Sequence, residues 1–377
     1  MRITADWLAE PGTQTVLGLL SDAGHQALVV GGCVRNALMG LAVTDIDIAT
    51  DARPERVVAL AEAAGLRAVP TGIEHGTVTL VVGGEGFEVT TFRADLDTDG
   101  RRATVAFSTD LAEDAARRDF TMNALYARAD GVVLDPLGGL NDLQARRVRF
   151  VGDADQRIRE DYLRILRFFR FHAQYGDPEA GLDAGALAAC AAGAEGMARL
   201  SAERIGAEMR KLLSARDPAP AVAAMAQAGV LAQVLPGADP HALPVLVHLE
   251  DGLAPRFLRR LLVLGGEIAR LRLTRVEARG LDKARAALET LQPAAELGYR
   301  LGQDLAADVV LARAALFETP LRAGWQVEIA RGAQARFPLR ARDLPGLEGP
   351  ALGARLKEAE ARWIASDFRL DRAALLG

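Results

Sequence analysis

Two rhythms of hydrophobic and polar positions divide this chain. As far as about Phe150, short apolar runs alternate with amphipathic stretches, the mark of strands interleaved with helices. HQALVV (25–30) predicts a strand that ends in Gly31-Gly32, and CVRNALMG then carries helical spacing up to Gly40. TDIDIAT (44–50) is short and β-branched and predicts a second strand. ARPERVVALAEAAG (52–65) predicts a helix, with Pro54 in its first turn and Gly65 at its end. TVTLVV (77–82) and GFEVTTF (86–92) predict strands flanking the turn Gly83-Gly84-Glu85, and GVVLDPLGG (131–139) a last strand and turn. The polar stretch 93–111 reads as a mobile loop. From about Asp155 onward the apolar positions recur with helical period and little strand signal remains. ALAACAAGAEGMARL and AVAAMAQAGVLAQVL are helix-like, interrupted by Pro218, Pro220 and Pro236. Seams are expected near 215–220, 236–244 and 338–350, with no internal repeat. The pattern is an α/β first part followed by an all-helical remainder.

Composition narrows the class. The 377 residues exceed what one core serves, so roughly two to four domains are expected. No apolar run is long enough for a membrane span, and MRITADWLAE has an early acid and no apolar signal core. Two cysteines, Cys33 and Cys190, are too few for a disulfide framework or a cysteine-rich zinc site, so a reducing cytoplasm fits best. A net charge of −5 argues against coating nucleic acid by bulk charge, though not against local basic surfaces. Residues 144–170 hold eight arginines against four acids, and 251–283 hold eight Lys/Arg against four acids. Such stretches are where an RNA backbone would lie, unless they are salt-bridged helical surface.

The candidate chemistry starts at VVGGCVRNALMG. Gly31-Gly32 between strand and helix lets backbone approach a ligand closely, and Arg35, one turn in, could reach a phosphate. A tight strand–helix turn is the plain alternative. Asp45 and Asp47 follow, two apart, so on a strand both carboxylates face one way and repel. Such a pair suits Mg²⁺, a hard cation served by few protein oxygens, and two such ions can activate a hydroxyl and support leaving pyrophosphate. Glu88 on a neighbouring strand is a candidate third carboxylate, or surface. In RRDFTMNAL (117–125) adjacent Arg117 and Arg118 diverge, so one can pair with an acid while the other meets phosphate. Asn123 can hydrogen-bond a ribose hydroxyl, unless the block is only a salt-bridged helix start. In REDYLRILRFFRFHAQYG (159–176), Asp161, Arg164, Arg167 and Arg170 form a slanted ridge on one helix among Ile158, Tyr162, Leu166, Phe168, Phe169 and Phe171. Charges in such apolar company need partners in a cleft; an (i, i+3) Asp161–Arg164 salt bridge is the simpler account. An aspartate accepts from an amine and an arginine donates to a ring nitrogen or carbonyl. That pair could therefore accept cytosine or adenine and reject uracil or guanine.

GGCVRNALMG with TDIDIAT, then RRDFTMNAL, DPLGG (135–139) and EDYLRILRFFRF (160–171), in this order and spacing, resemble the class II tRNA nucleotidyltransferases. These are the bacterial CCA-adding enzymes and their poly(A) polymerase relatives. LSAERIGAEMRKLL (200–213) resembles the following neck motif, and FPLRARDLPGLEGPALG (337–353) a tail segment. The resemblance implies an α/β nucleotidyltransferase head with a small mixed or antiparallel sheet (1–150). A helical neck (151–216), body (217–337) and tail (338–377) would follow in a seahorse shape. It implies Mg²⁺ on Asp45 and Asp47; Glu88 remains the candidate third catalytic carboxylate beside them. It implies nucleotide contacts from Gly32, Arg35 and Arg118, and a base-reading pair of Asp161 and Arg164 supported by Arg167 and Arg170; Gly31, Asn123 and Glu160 are further candidate nucleotide contacts. The loop 93–111 would help switch from CTP to ATP. The activity implied is addition of C, C and A to tRNA 3′ ends from CTP and ATP, releasing pyrophosphate. CC-adding, A-adding and poly(A)-forming variants, and a non-catalytic RNA-binding relative, are the alternatives. Asn36 stands where members commonly carry aspartate, which puts any ionic role there in doubt. None of the five histidines forms a His-Asp doublet, so a fused metal phosphohydrolase domain is not expected.

Overall fold

The structure, a computed structural model, describes residues 1–95 and 105–377. It divides into two compact units, one of Met1–Glu208 with Ala224–Gln233 and one of Met209–Ala223 with Val234–Gly377.

The first unit opens with helices α1 (Asp6–Ala9) and α2 (Pro11–Asp22), then strand β1 (Ala27–Val30), α3 (Gly32–Leu38), β2 (Asp47–Thr50) and α4 (Pro54–Ala63). Strands β3 (Arg67–Gly72), β4 (Thr77–Val82), β5 (Glu85–Thr91), β6 (Arg93–Asp95) and β7 (Val105–Phe107) follow. Then come α5 (Leu111–Ala116), β8 (Tyr126–Ala127), β9 (Val133–Leu134), α6 (Gly139–Gln144), α7 (Ala154–Glu160), α8 (Leu163–Tyr175) and α9 (Ala184–Ala192). Seven strands form one sheet in the order β3-β4-β5-β2-β1-β8-β9. Its β2–β5 pair is parallel and every other pair antiparallel, so the sheet is mixed. The uniformly apolar ALVV of β1 is buried throughout, as a central strand requires. Leu28, Val30, Ala49, Phe92 and Tyr126 join in one buried cluster behind it.

Several elements differ from the expectation. β2 starts only at Asp47, because its pairing with β1 ends at Val29↔Ile48 where β1 turns into Gly31. Asp45 therefore precedes the strand instead of lying on it. The stretch 93–111 is not all loop: Arg93↔Phe107, Ala94↔Ala106 and Asp95↔Val105 pair as an antiparallel stem. The centre of that stretch lies outside the described residues. β3 was not signalled because Pro70 interrupts it; the strand is at a sheet edge, where a missing N–H is tolerated. The ridge helix is two helices, broken at Asp161, whose φ of −152° and ψ of 104° are extended.

From α10 (Ala202–Leu213) on, every named element is helical, among the described residues. α11 (Ala219–Gln227), α12 (Val230–Val234), α13 (Leu243–Leu249), α14 (Phe257–Leu264) and α15 (Arg275–Leu288) lead to α16 (Ala294–Leu301) and α17 (Gln303–Leu316). α18 (Trp325–Gln334), α19 (Gly349–Ala365) and α20 (Arg372–Leu376) complete the chain. The gaps after α10, α12 and α18 fall at the expected seams. In the second unit Glu250 bridges Arg259 and Arg260 at 2.9 Å each, and Asp308 takes Arg256 at 3.0 Å and Arg259 at 2.8 Å. All but Arg256 of these five are buried.

Candidate active site

The site grows from the turn between β1 and α3. Gly31 has a φ of +73°, a conformation side chains resist, and a Cβ there would come within 3.4 Å of Arg118 Nη1. Glycine thus lets one end of the Arg118 guanidinium stand directly beside the turn. The other end is anchored: Nε donates to Tyr126 Oη at 3.0 Å and Nη2 to Asp114 at 3.0 Å. Arg117 binds the same Asp114, at 2.9 Å. The expected division, one arginine on an acid and one on a ligand, is therefore replaced by both sharing Asp114, with Arg118 Nη1 still directed at the glycine turn. Burial would push Asp114 up, but the two guanidiniums and the Tyr126 hydroxyl hold it below the ordinary carboxylate range.

A cavity of about 360 Å³ opens at this turn. Gly31, Gly32, Asp47, Arg118, Asn123, Asp161, Arg164 and Arg167 all line it, together with Arg117 and Asp119. Eight sequence-predicted residues are thus brought to one place. Asp161 and Arg164 do not pair with each other. One Asp161 oxygen accepts from Leu163 N at 3.1 Å, starting α8, and the other from Arg204 at 2.6 Å. Arg164 is held by Glu160, by the Arg157 carbonyl at 2.8 Å and by the Arg117 carbonyl at 3.3 Å. Its Nε–H has no partner among the described residues and remains available to an acceptor. A carboxylate acceptor and a guanidinium donor thus both stand on the cavity wall.

Three predicted contacts are corrected, those of Arg35, Arg170 and Glu160. Arg35 is buried, donating to Asn36 at 2.8 Å, to Tyr175 at 2.9 Å and to Asn123, and it stacks 3.9 Å from the Tyr175 ring. A guanidinium so fully engaged braces α3 against α8 and does not face a phosphate. Asn123 lines the cavity while held between Arg35 and Asp119, to which its amide donates at 3.1 Å, and one N–H of that amide is left over. Arg170 is buried against Glu208 and Gln174, and Glu160 serves Arg157 and Arg164; neither lines the cavity. Arg167 does line it, but its guanidinium is clamped on Asp119 at 2.7 Å. Asn36, in place of the customary aspartate, accepts from Arg35 and donates to the Ala42 carbonyl at 2.8 Å, a neutral link that works without charge. Within the two basic stretches, Arg147 and Arg149 pair with Asp142, and Arg259 and Arg260 with Glu250.

Asp47 also lines a second cavity, of about 670 Å³, together with Asp45, Glu88, Trp7, Glu10 and Glu85 among others. The parallel register sets Asp47 directly opposite Glu88. Desolvation, then the negative charge of Glu88, and also Asp45, push the Asp47 carboxyl up, against the pull of Arg118. A wall of oxygen donors crowded enough to raise a carboxyl fits a hard divalent cation on Asp45 and Asp47. Among the described residues no group of three or more His, Cys, Asp or Glu is gathered closely enough to hold a metal ion. Glu88 thus stands beside the pair without completing a cage. Burial, then Asp47, pushes the neighbouring Cys33 thiol up to about 11, so it is no nucleophile. Trp7, Glu10 and Glu85 had no local signal, since only the fold carries the N-terminal helices to the β5 hairpin.

The chain is similar to known proteins along most of its length. Residues 27–149 match the family described as "Poly A polymerase head domain", and 182–241 that described as "Probable RNA and SrmB- binding site of polymerase A". The chain is 32% identical to the mitochondrial CCA tRNA nucleotidyltransferase 1 of Mus musculus, over 97% of this chain and 89% of that one. It is 37% identical to the CCA-adding enzyme of Geobacillus thermodenitrificans, over 82% and 80%. The crystal structure of the Bacillus stearothermophilus CCA-adding enzyme in complex with CTP superposes with a TM-score of 0.71 at 28% identity, covering 95% of this chain and 94% of that one. A Thermotoga maritima CCA-adding enzyme complexed with tRNA gives a TM-score of 0.70 over 99% and 97%; at 19% identity it speaks for the fold alone. With relatives matched across four-fifths or more of both chains, this protein belongs to the class II family of CCA-adding enzymes and poly(A) polymerases.

Proposed function

We propose that this chain is a template-independent tRNA nucleotidyltransferase that adds C, C and A to tRNA 3′ ends from CTP and ATP and releases pyrophosphate. One observation carries the reading: Asp47 belongs to two cavities at once. The first offers Arg118, the glycine turn and the Asp161/Arg164 pair; the second offers Asp45 and Glu88. Arg118 Nη1 and the Gly31-Gly32 backbone hold the triphosphate of the incoming nucleotide. Asp161 accepts from the exocyclic amine of cytosine or adenine while Arg164 donates to the adjoining ring nitrogen. Uracil and guanine bring acceptor to acceptor and donor to donor, leaving polar groups unpaired, which selects strongly against them. Family membership implies dependence on a divalent metal; Mg²⁺ is the ion proposed, held by Asp45 and Asp47 beside Glu88. When bound, such an ion stabilises charge on the reacting phosphate and makes the attacking hydroxyl more acidic.

The names of the relatives reported above, CCA tRNA nucleotidyltransferase and CCA-adding enzyme, favour this over CC-adding, A-adding or poly(A)-forming activity. The reading divides the chain into a catalytic head (1–150), a neck (151–216) that carries the base-reading joint, a body (217–337) and a tail (338–377). Among the described residues no helix is long and apolar enough to cross a membrane, and both cysteines are free. A cytoplasmic site of action accords with these features. The test supplies tRNA ending at the discriminator base, or after CC, with each labelled nucleoside triphosphate and Mg²⁺. Stepwise incorporation of C, C and then A is expected. Long A tails, or no transfer, would overturn the reading.

A further inference from the structure

We propose that Tyr126 is a positioning residue for the transfer reaction, its hydroxyl setting the plane of the Arg118 guanidinium so that Nη1 is aimed at the triphosphate. The inference rests on the reading of Arg118 as a triphosphate holder and adds to it the group that orients the holder.

The directions of the hydrogen bonds come first. A guanidinium only donates, and an ionised carboxylate only accepts. The Tyr126 hydroxyl lies between the two, 3.0 Å from Arg118 Nε and 2.7 Å from an Asp114 oxygen. Its one proton therefore goes to Asp114, and its oxygen accepts from Arg118. Burial pushes the phenol well above its usual range, so near neutral pH the group between them is the uncharged hydroxyl.

The second observation is how Arg118 is gripped. Tyr126 holds Nε and Asp114 holds Nη2, and two contacts along one edge fix a planar fork that a single contact would leave free to swivel. The corner left over is Nη1, which has no partner among the described residues and stands beside Gly31. The other demands on Asp114 are also met: Oδ1 takes the Arg93 backbone N–H at 3.3 Å and Arg117 Nε at 2.9 Å, and Oδ2 takes Arg118 and Tyr126. Loss of the hydroxyl would reopen one acceptor position on Oδ2 and leave Nε with that oxygen to turn to. The guanidinium would then rotate and carry Nη1 off the glycine turn.

The third is register. Tyr126 pairs with Val30 on β1, and the Leu125 carbonyl just before it accepts from the Gly31 N–H at 3.0 Å. The two-residue strand that carries the hydroxyl thus also pins the glycine turn. The ring itself belongs to the core, buried with Leu28, Val30, Ala49 and Phe92. Packing asks only for that ring; the hydroxyl answers to Asp114 and Arg118 alone.

The experiment uses the full-length protein, minihelix RNAs ending in C or CC, and inorganic tripolyphosphate as a probe of the triphosphate seat without a base. Tyr126→Phe should raise the KM values for CTP and ATP by one common factor of about ten, the scale of one hydrogen bond to a charged group. Inhibition by tripolyphosphate should weaken by that same factor. The KM for the RNA and the preference for CTP over UTP should each change less than about twofold, since neither depends on Arg118. In an Arg118→Lys background Tyr126→Phe should add less than about twofold, because an ammonium has no plane to set. Independently of Tyr126→Phe, the wild-type Arg118 Nε–H, identified in ¹⁵N spectra by its loss in Arg118→Lys, should exchange with solvent at least about tenfold more slowly than free arginine. Weaker CTP binding with unchanged tripolyphosphate inhibition, an equal effect of Tyr126→Phe in both backgrounds, or unprotected exchange at Arg118 Nε would overturn the proposal. Arg118→Lys alone separates the two layers. If it leaves tripolyphosphate inhibition unchanged, the triphosphate-holding reading falls and this proposal with it; if it weakens inhibition and Tyr126→Phe does not, only this proposal falls.

Discussion

Asp47 lies opposite Glu88 across a parallel strand pair, and folding holds its carboxyl above the ordinary range through desolvation and then the charge of Glu88. A carboxyl raised by folding contributes stability when protonated. That contribution is present below the unfolded-state pKa of about 3.9 and is lost as pH rises through the folded value. At neutral pH the ionised group therefore strains the fold. Asp47→Asn should melt higher than wild type near neutral pH, with the gap closing in acid, and should abolish transfer. Adding Mg²⁺ should raise the wild-type melting temperature and move that of the variant less. Calorimetric scans with and without Mg²⁺ measure both; a gap independent of pH would show that charge is not the cause. Asp119 behaves oppositely. Burial would raise it, but Arg167 and the Asn123 and Phe120 N–H groups hold it low. Its contribution is present above the unfolded-state value and is lost as pH falls through the folded one. Asp119→Asn should accordingly destabilise at neutral pH and progressively less in acid, in the same scans. At this scale the sequence was legible where charge stood in apolar company, as with Asp47, Asp161 and Arg164. It misled at Arg35 and Arg170, whose inward turn depends on Asn123, Tyr175 and Glu208, acceptors 88, 140 and 38 residues away from their arginines.

Among elements, the joint between α7 and α8 does the most. Asp161 leaves the helical conformation there, and Tyr162 packs so tightly on Gly196 that a Cβ would lie 1.9 Å from its ring. Gly196→Ala should cost about 1–3 kcal/mol in urea titrations, the scale of overpacking a rigid contact. Arg204 holds Asp161 from α10 as a part-exposed ion pair. Arg204→Ala should leave stability within about 1 kcal/mol. Its discrimination of CTP from UTP, measured as a ratio of kcat/KM values, should nevertheless fall, because the acceptor is no longer held in place. Helical period revealed α8 and its ridge but not the break, since Asp161 ends α7 while its carboxylate accepts from Leu163 N at the start of α8, and the same residues would equally continue one helix. The edge strand β3 and the β6–β7 stem escaped for a related reason. Each is defined by its partner strand and has little pattern of its own.

Across the whole molecule, the division into an α/β part and a helical remainder was legible from periodicity alone. The placement of charge in the second unit was not. The arginines of 251–283 looked like an RNA-facing surface, yet Arg259 and Arg260 are buried on Glu250 and Asp308, with Arg260 also donating to the Leu213 carbonyl at 2.8 Å. Glu250→Ala would leave two buried guanidiniums short of a counter-charge and should destabilise by about 3–5 kcal/mol in chemical denaturation. A larger consequence follows from the carboxylate that walls both cavities of the first unit. An occupant on either side alters the field felt by the other, so the two ligands' affinities are thermodynamically linked. Whatever factor an occupant of one cavity applies to the dissociation constant of an occupant of the other, the second must apply to the first. A single side chain thereby makes each cavity sensitive to what fills the other.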